Sequence, residues 1–113
     1  MCMKISKEDL LRINQGFGGN LRNSSSLDYA IDMLDNKKLG IYKKLAYLMR
    51  AVLVDHPFSD GNKRTAAFLA SAFAEENHKQ LDMDLLIHHI TSIASQNITD
   101  IKNIDWRLKS CLK

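Results

Sequence analysis

The sequence predicts an all-α fold, a compact bundle of about six short helices, and three observations carry that reading. One proline interrupts 113 residues. The β-branched residues are scattered, so no stretch shows the period-two alternation of a half-buried strand. Apolar residues recur instead at spacings of three and four, which line them up on one face of a helix. No internal repeat or low-complexity tract appears, and residues 1–113 are expected to form a single domain.

The first helix is capped by Ser6, with Glu8 and Asp9 in the first turn, where carboxylates complement the helix dipole. Leu10, Leu11, Ile13 and Asn14 follow, and Gly16 stops it. Gly16, Gly18 and Gly19 make the stretch to Asn20 a loop. Ser24, Ser25 and Ser26 cap a second helix carrying Leu27, Ala30, Ile31 and Leu34 at i, i+3, i+4 and i+7, ending near Asn36. The polar stretch from Asn36 to Gly40 reads as a turn or small hairpin. From Ile41 to about Asp55 runs the strongest apolar face (Ile41, Leu45, Leu48, Met49, Val52, Leu53), which predicts the central helix. Pro57 ends it at or before His56, because the residue preceding a proline is pushed out of the α region.

Gly61 or Asn62 opens a fourth helix through about Glu76, with Ala66, Ala67, Phe68, Ala70, Ser71 and Phe73 expected to pack closely. Asp82 caps a fifth, which holds Leu85, Leu86, Ile90 and Ile93. Thr99 or Asp100 caps a sixth, with Ile101, Ile104, Leu108 and Cys111 or Leu112 inward.

Composition narrows the function classes. Apolar residues make up 45% and charged residues 26%, the balance of a soluble globular protein. Sixteen Lys and Arg against thirteen Asp and Glu leave a net charge of +3, with no block of about five or more like charges, so direct nucleic-acid binding is not expected. No stretch is long and apolar enough to span a membrane. The two cysteines, Cys2 and Cys111, have no metal-ligand spacing and cannot form a disulfide framework. With no signal-peptide core in the first nine residues, a cytoplasmic location is expected.

The chemistry concentrates between the third and fourth helices, in His56-Pro57-Phe58-Ser59-Asp60-Gly61-Asn62-Lys63-Arg64-Thr65-Ala66. An imidazole can take a proton from a hydroxyl at neutral pH. A carboxylate such as Asp60 is a hard oxygen ligand of the kind Mg²⁺ takes beside nucleotide phosphates. Gly61 lets the backbone approach a ligand, and Asn62 can cap the helix or reach a phosphate oxygen. The free N–H groups of the next turn form an anion site. Lys63 and Arg64 oppose the dipole at that helix start, a broken local rule that a bound anion repairs. Each residue has a plainer reading: His-Pro can close a helix, Asp-Gly-Asn is a common turn, and Lys and Arg are usually solvated. Their convergence in one short window favours a polyphosphate.

The string closely resembles the signature of the Fic/Doc family, and the Lys63-Arg64-Thr65-Ala66 continuation is similar to its death-on-curing (Doc) branch. Leu21-Arg22-Asn23 also resembles an arginine-containing segment of Doc-like proteins. The resemblance implies ATP and Mg²⁺, with His56 as general base, Asp60 holding the metal, and Gly61, Asn62, Lys63 and Arg64 gripping phosphates. It also implies that Phe58 points inward to anchor the loop. Adenylyl-transferring Fic enzymes carry Gly where Lys63 stands and a second Arg where Ala67 stands. Both departures match the Doc pattern, which implies transfer of the γ-phosphoryl group of ATP to a Ser or Thr hydroxyl of a target protein, a translation GTPase. An antitoxin protein is the second implied partner, and the 36–40 turn corresponds to the flap that aligns the target peptide. AMP transfer to a protein hydroxyl and a non-catalytic module binding nucleotide or antitoxin are the alternatives.

Other features read as structural. His88 and His89 lack a zinc spacing, and His78 is expected to be exposed. Glu76-Asn77 resembles the end of an inhibitory Fic motif, but Ala72 stands at its Ser/Thr position. Trp106 is expected to be a buried aromatic beneath a solvated basic face, and Met33, Met49 and Met83 to be core filler.

Overall fold

A computed structural model describes residues 4–113; the N-terminal expectations on Met1 to Met3, including Cys2, lie outside the described residues. Six helices follow in order: α1 (Lys7–Gly16), α2 (Ser25–Leu34), α3 (Ile41–Leu53), α4 (Asn62–Glu76), α5 (Met83–Gln96) and α6 (Ile101–Cys111). The described residues contain no strand, only two isolated bridges, Leu21 with Phe58 and Leu81 with Leu112. The all-α expectation holds.

Local chemistry sets the helix starts. Ser6 accepts from the Asp9 N–H while the Asp9 carboxylate accepts from the Ser6 N–H, a capping box that satisfies two otherwise orphaned donors. Asp82 accepts from the Leu85 N–H, and Asp100 from the Lys102 N–H. At α2 the serines make no side-chain cap; the Asn23 side chain accepts from the Ser25 N–H instead. The 36–40 segment is a turn, not a hairpin. Asn36 closes it with both oxygens, its backbone carbonyl accepting from Leu39 and its side chain from Lys38.

The α3 helix is central, as its apolar face predicts, and packs against α2, α4, α5 and α6. Leu45, Leu48, Met49, Val52 and Leu53 on it are all fully buried. The α1 helix lies against α4 and α2, with Leu10 in the core. The chain end is tied back to the start of α5: the Asp82 N–H donates to the Cys111 carbonyl and the Lys113 N–H to the Gln80 carbonyl. Both Cys111 and Leu112 face inward.

Three packing expectations are corrected. Phe68 is exposed, and Leu69 and Ala74 take places in the α4 core face. Trp106 is 67% exposed, because it projects from the side of α6 opposite Ile104 and Leu108. Met83, in the first turn of α5, is largely exposed, whereas Met49 is core.

Candidate active site

The α3 helix stops at Leu53, three residues before His56, and α4 starts at Asn62. The loop between them is held at its centre by Phe58, which is 1% exposed and inserts into the core as expected. The 19–23 segment laces along it. The Pro57 carbonyl accepts from the N–H groups of Arg22 and Asn23, at 2.7 and 3.2 Å. The Ser59 N–H donates to the Asn20 carbonyl at 2.8 Å, and the Ser59 hydroxyl accepts from the Asn20 N–H at 3.0 Å. The Leu21-Arg22-Asn23 string therefore braces this loop through its backbone.

Two residues of the loop take left-handed backbone conformations. Gly61, at φ +75°, turns the chain into α4, and a Cβ there would stand 3.0 Å from the Phe17 Cβ and 3.2 Å from the Asn14 amide nitrogen. His56 is at φ +47°, a region that is costly for a side-chain-bearing residue. Its imidazole is exposed.

A cavity of about 400 Å³ opens over the loop and the helix start, lined by His56, Ser59, Asp60, Gly61, Asn62, Lys63 and Arg64. His56, Asp60, Gly61, Asn62, Lys63 and Arg64, the candidate catalytic and phosphate-binding residues, all line it. The N-cap of α4 is Gly61, so no cap side chain reaches its first-turn N–H groups, and that turn holds no acidic residue; these N–H groups face the cavity. Lys63 and Arg64 are exposed and, among the described residues, form no ion pair. Uncapped N–H groups beside two unpaired cations give this face the chemistry to receive an anion.

Asn62 is also tied to the loop. Its Oδ1 accepts from the Phe58 N–H at 3.3 Å and its Nδ2 donates to the Phe58 carbonyl at 3.1 Å. The side chain does not cap α4; it holds the loop, with its second Nδ2–H left over. Asp60 Oδ1 accepts from the Gly61 N–H at 2.7 Å, and Asp60 is the one carboxylate lining the cavity. No group of three or more metal-ligating side chains occurs among the described residues. Mg²⁺ usually takes one or two carboxylates plus substrate phosphates and water, so a single exposed carboxylate beside an anion site fits that ion in the company of a polyphosphate.

Sequence reasoning missed a supporting group beneath the loop. Asn14 of α1 is 1% exposed. Its Nδ2 donates to the Asp60 carbonyl at 2.8 Å and to the Thr65 hydroxyl at 3.2 Å. The available signal was a polar residue falling on the apolar face of α1.

Neither a curated protein nor a solved structure matches the chain. A Fic/DOC family profile matches residues 4–74, more than half of it, and ends within α4. That family generally transfers nucleotide-derived groups to proteins. The matched span takes in α1 with Asn14, the bracing 19–23 segment and the whole loop that opens α4, which is to say every part that builds the cavity: the chain belongs to the Fic/DOC family.

Proposed function

We propose that this protein transfers the γ-phosphoryl group of ATP to a serine or threonine hydroxyl of a target protein, with His56 as general base. One observation carries the reading: the uncapped start of α4, with Lys63 and Arg64 free of acidic partners, lines the same cavity as His56. In the proposed reaction His56 takes the proton of the target hydroxyl as its oxygen bonds to the γ-phosphorus. The bond from that phosphorus to the β,γ-bridging oxygen breaks, and ADP leaves. Lys63, Arg64 and the first-turn N–H groups of α4 stabilise the charge on the phosphates, the main catalytic requirement in phosphoryl transfer. Asp60 would hold Mg²⁺, which supplies further neutralisation of phosphate charge when bound.

Two positions favour phosphoryl over adenylyl transfer. Lys63 stands where AMP-transferring relatives have glycine, and places a point charge at the helix start. Ala67 stands where they have a second arginine and cannot grip a phosphate. The proposed partners are a target protein, a translation GTPase, and an antitoxin that silences the site. Asn62 contributes by fixing the loop, and Gly61 by letting the main chain turn tightly beneath the ligand.

The test is incubation with ATP labelled at either the α- or the γ-phosphate, in a cytosolic extract. Label should reach protein from the γ position and not with His56→Ala. Label from the α position alone assigns AMP transfer, and label from neither leaves a binding module. Growth arrest on expression, relieved by His56→Ala, is expected of a toxin.

A further inference from the structure

We propose that Asn14 is a positioning residue for this site: from α1 it clamps the main chain of Asp60, and so sets where the Asp60 carboxylate and the start of α4 stand. The inference rests on the reading of the cavity as a metal–nucleotide site. Asn14 touches no reacting group. Its role follows from what each of its polar atoms does.

The Asp60 carbonyl can only accept a hydrogen bond, so the Asn14 atom 2.8 Å from it is the amide nitrogen. The same nitrogen donates to Thr65, which is fully buried in the first turn of α4. One amide therefore spans the last residues of the loop and the first turn of the helix. The Asn14 backbone carbonyl accepts from the Phe17 and Gly19 N–H groups, at 2.9 and 3.2 Å, and ties down the glycine loop as well. Three segments meet on one side chain and its own carbonyl.

The fit leaves no slack. A Cβ on Gly19 would fall 2.3 Å from both the Asn14 Oδ1 and the Asp60 carbonyl oxygen, so glycine is required there for space. The Asn14 Oδ1 itself is buried and has no hydrogen-bond partner among the described residues. The buried oxygen costs desolvation, and the amide's return is the donor it gives to the Asp60 carbonyl and the Thr65 hydroxyl. Its retained donor is aimed at the residue before Gly61, whose N–H holds the Asp60 carboxylate at 2.7 Å. Moving the Asp60 carbonyl moves that carboxylate.

Asn14→Ala and Asn14→Asp, the latter nearly isosteric but without the donor, test this with two readouts. Amide hydrogen exchange at Thr65, whose N–H donates to the Gly61 carbonyl at 2.9 Å, should quicken at least tenfold in both, while the amides of α3 keep their protection. Mg²⁺·ATP binding to the His56-intact protein, measured by calorimetry, should weaken at least tenfold. Should both variants unfold, Gly19→Ala pushes the same atoms apart with Asn14 in place, and the same loop-selective change is expected. Parent-like exchange at Thr65 would overturn the inference, as would exchange that rises equally in α3. If the parent binds no Mg²⁺·ATP, the functional reading falls, and the exchange comparison still decides whether Asn14 holds the loop.

Discussion

Asn62 and Phe58 exchange two hydrogen bonds four residues apart, so the amide at the head of α4 is spent on the backbone of the residue that anchors the loop. Phe58 is sunk in the core and cannot shift without disturbing it. The reactive loop is thus rigid at its middle and exposed at its ends, His56 and Asp60. Rigid support for exposed reactive groups is what positioning catalysis needs.

Asn62→Ala removes both bonds and leaves the Phe58 N–H and carbonyl without their partner, which should cost about 1–3 kcal/mol in urea denaturation. Transfer should fall as the loop loosens. Asn62→Asp retains the acceptor and loses the donor, so its stability should lie between that of Ala and the parent. If the side chain did not hold the loop, both variants would unfold at the parent's urea midpoint, and that comparison decides the role.

Phe58→Ala should be the most destabilising single change in the loop. A buried phenylalanine cut to alanine costs about 3–5 kcal/mol through lost transfer energy and the cavity left behind. Phe58→Leu fills part of that space and should cost markedly less. Thermal unfolding of both variants checks the order, and equal melting temperatures for parent and Phe58→Ala would refute the anchor.

Most of the helices were legible because their signals are local. Ser6 with Asp9, and Asp82 and Asp100, mark starts that need nothing beyond the next turn. The reactive loop was legible because its cavity-lining residues are consecutive or nearly so, from His56 to Arg64. Asn14 and Gly19 were not, because what they touch lies more than forty residues along the chain, at Asp60 and Thr65. Asn14 follows Ile13 as an ordinary end-of-helix polar residue, and nothing nearby in sequence marks its partner. Trp106 misled for a related reason: hydrophobicity alone put it inside, while the rotation of α6 set by Ile104, Leu108 and Cys111 turns it out.

His56 should trade stability for function. At φ +47° it occupies a backbone region where glycine is unstrained, and its exposed side chain adds little packing. His56→Gly should therefore stabilise the fold by about 1 kcal/mol relative to His56→Ala, whose Cβ keeps the strain. Both should abolish transfer. Denaturation midpoints and label incorporation measured side by side would show stability and activity moving in opposite directions, and a His56→Gly no more stable than His56→Ala would remove the strain argument.

His89 should make stability depend on pH. It is buried between α5 and α6, where its Nδ1 accepts from the Arg107 guanidinium at 3.0 Å and its Nε2 lies 3.0 Å from the Ser110 hydroxyl. Arginine has only donors, so Nδ1 must carry the lone pair and the ring is neutral, with Nε2–H donating to Ser110. The Ser110 hydroxyl in turn donates to the Arg107 carbonyl at 2.6 Å. Burial first, then the Arg107 charge and then His88, hold the His89 pKa below the ordinary histidine value of 6.5. The unfolded chain therefore binds more protons than the folded one just below pH 6.5. The contribution of His89 is fully present above that pH and is lost as pH falls from 6.5 through the depressed folded value. Urea unfolding between pH 7.5 and 5.5 should show this decline. In His89→Gln, whose amide can still accept from Arg107 but does not titrate, the curve should flatten over the same window; an unchanged slope would assign the dependence to another group.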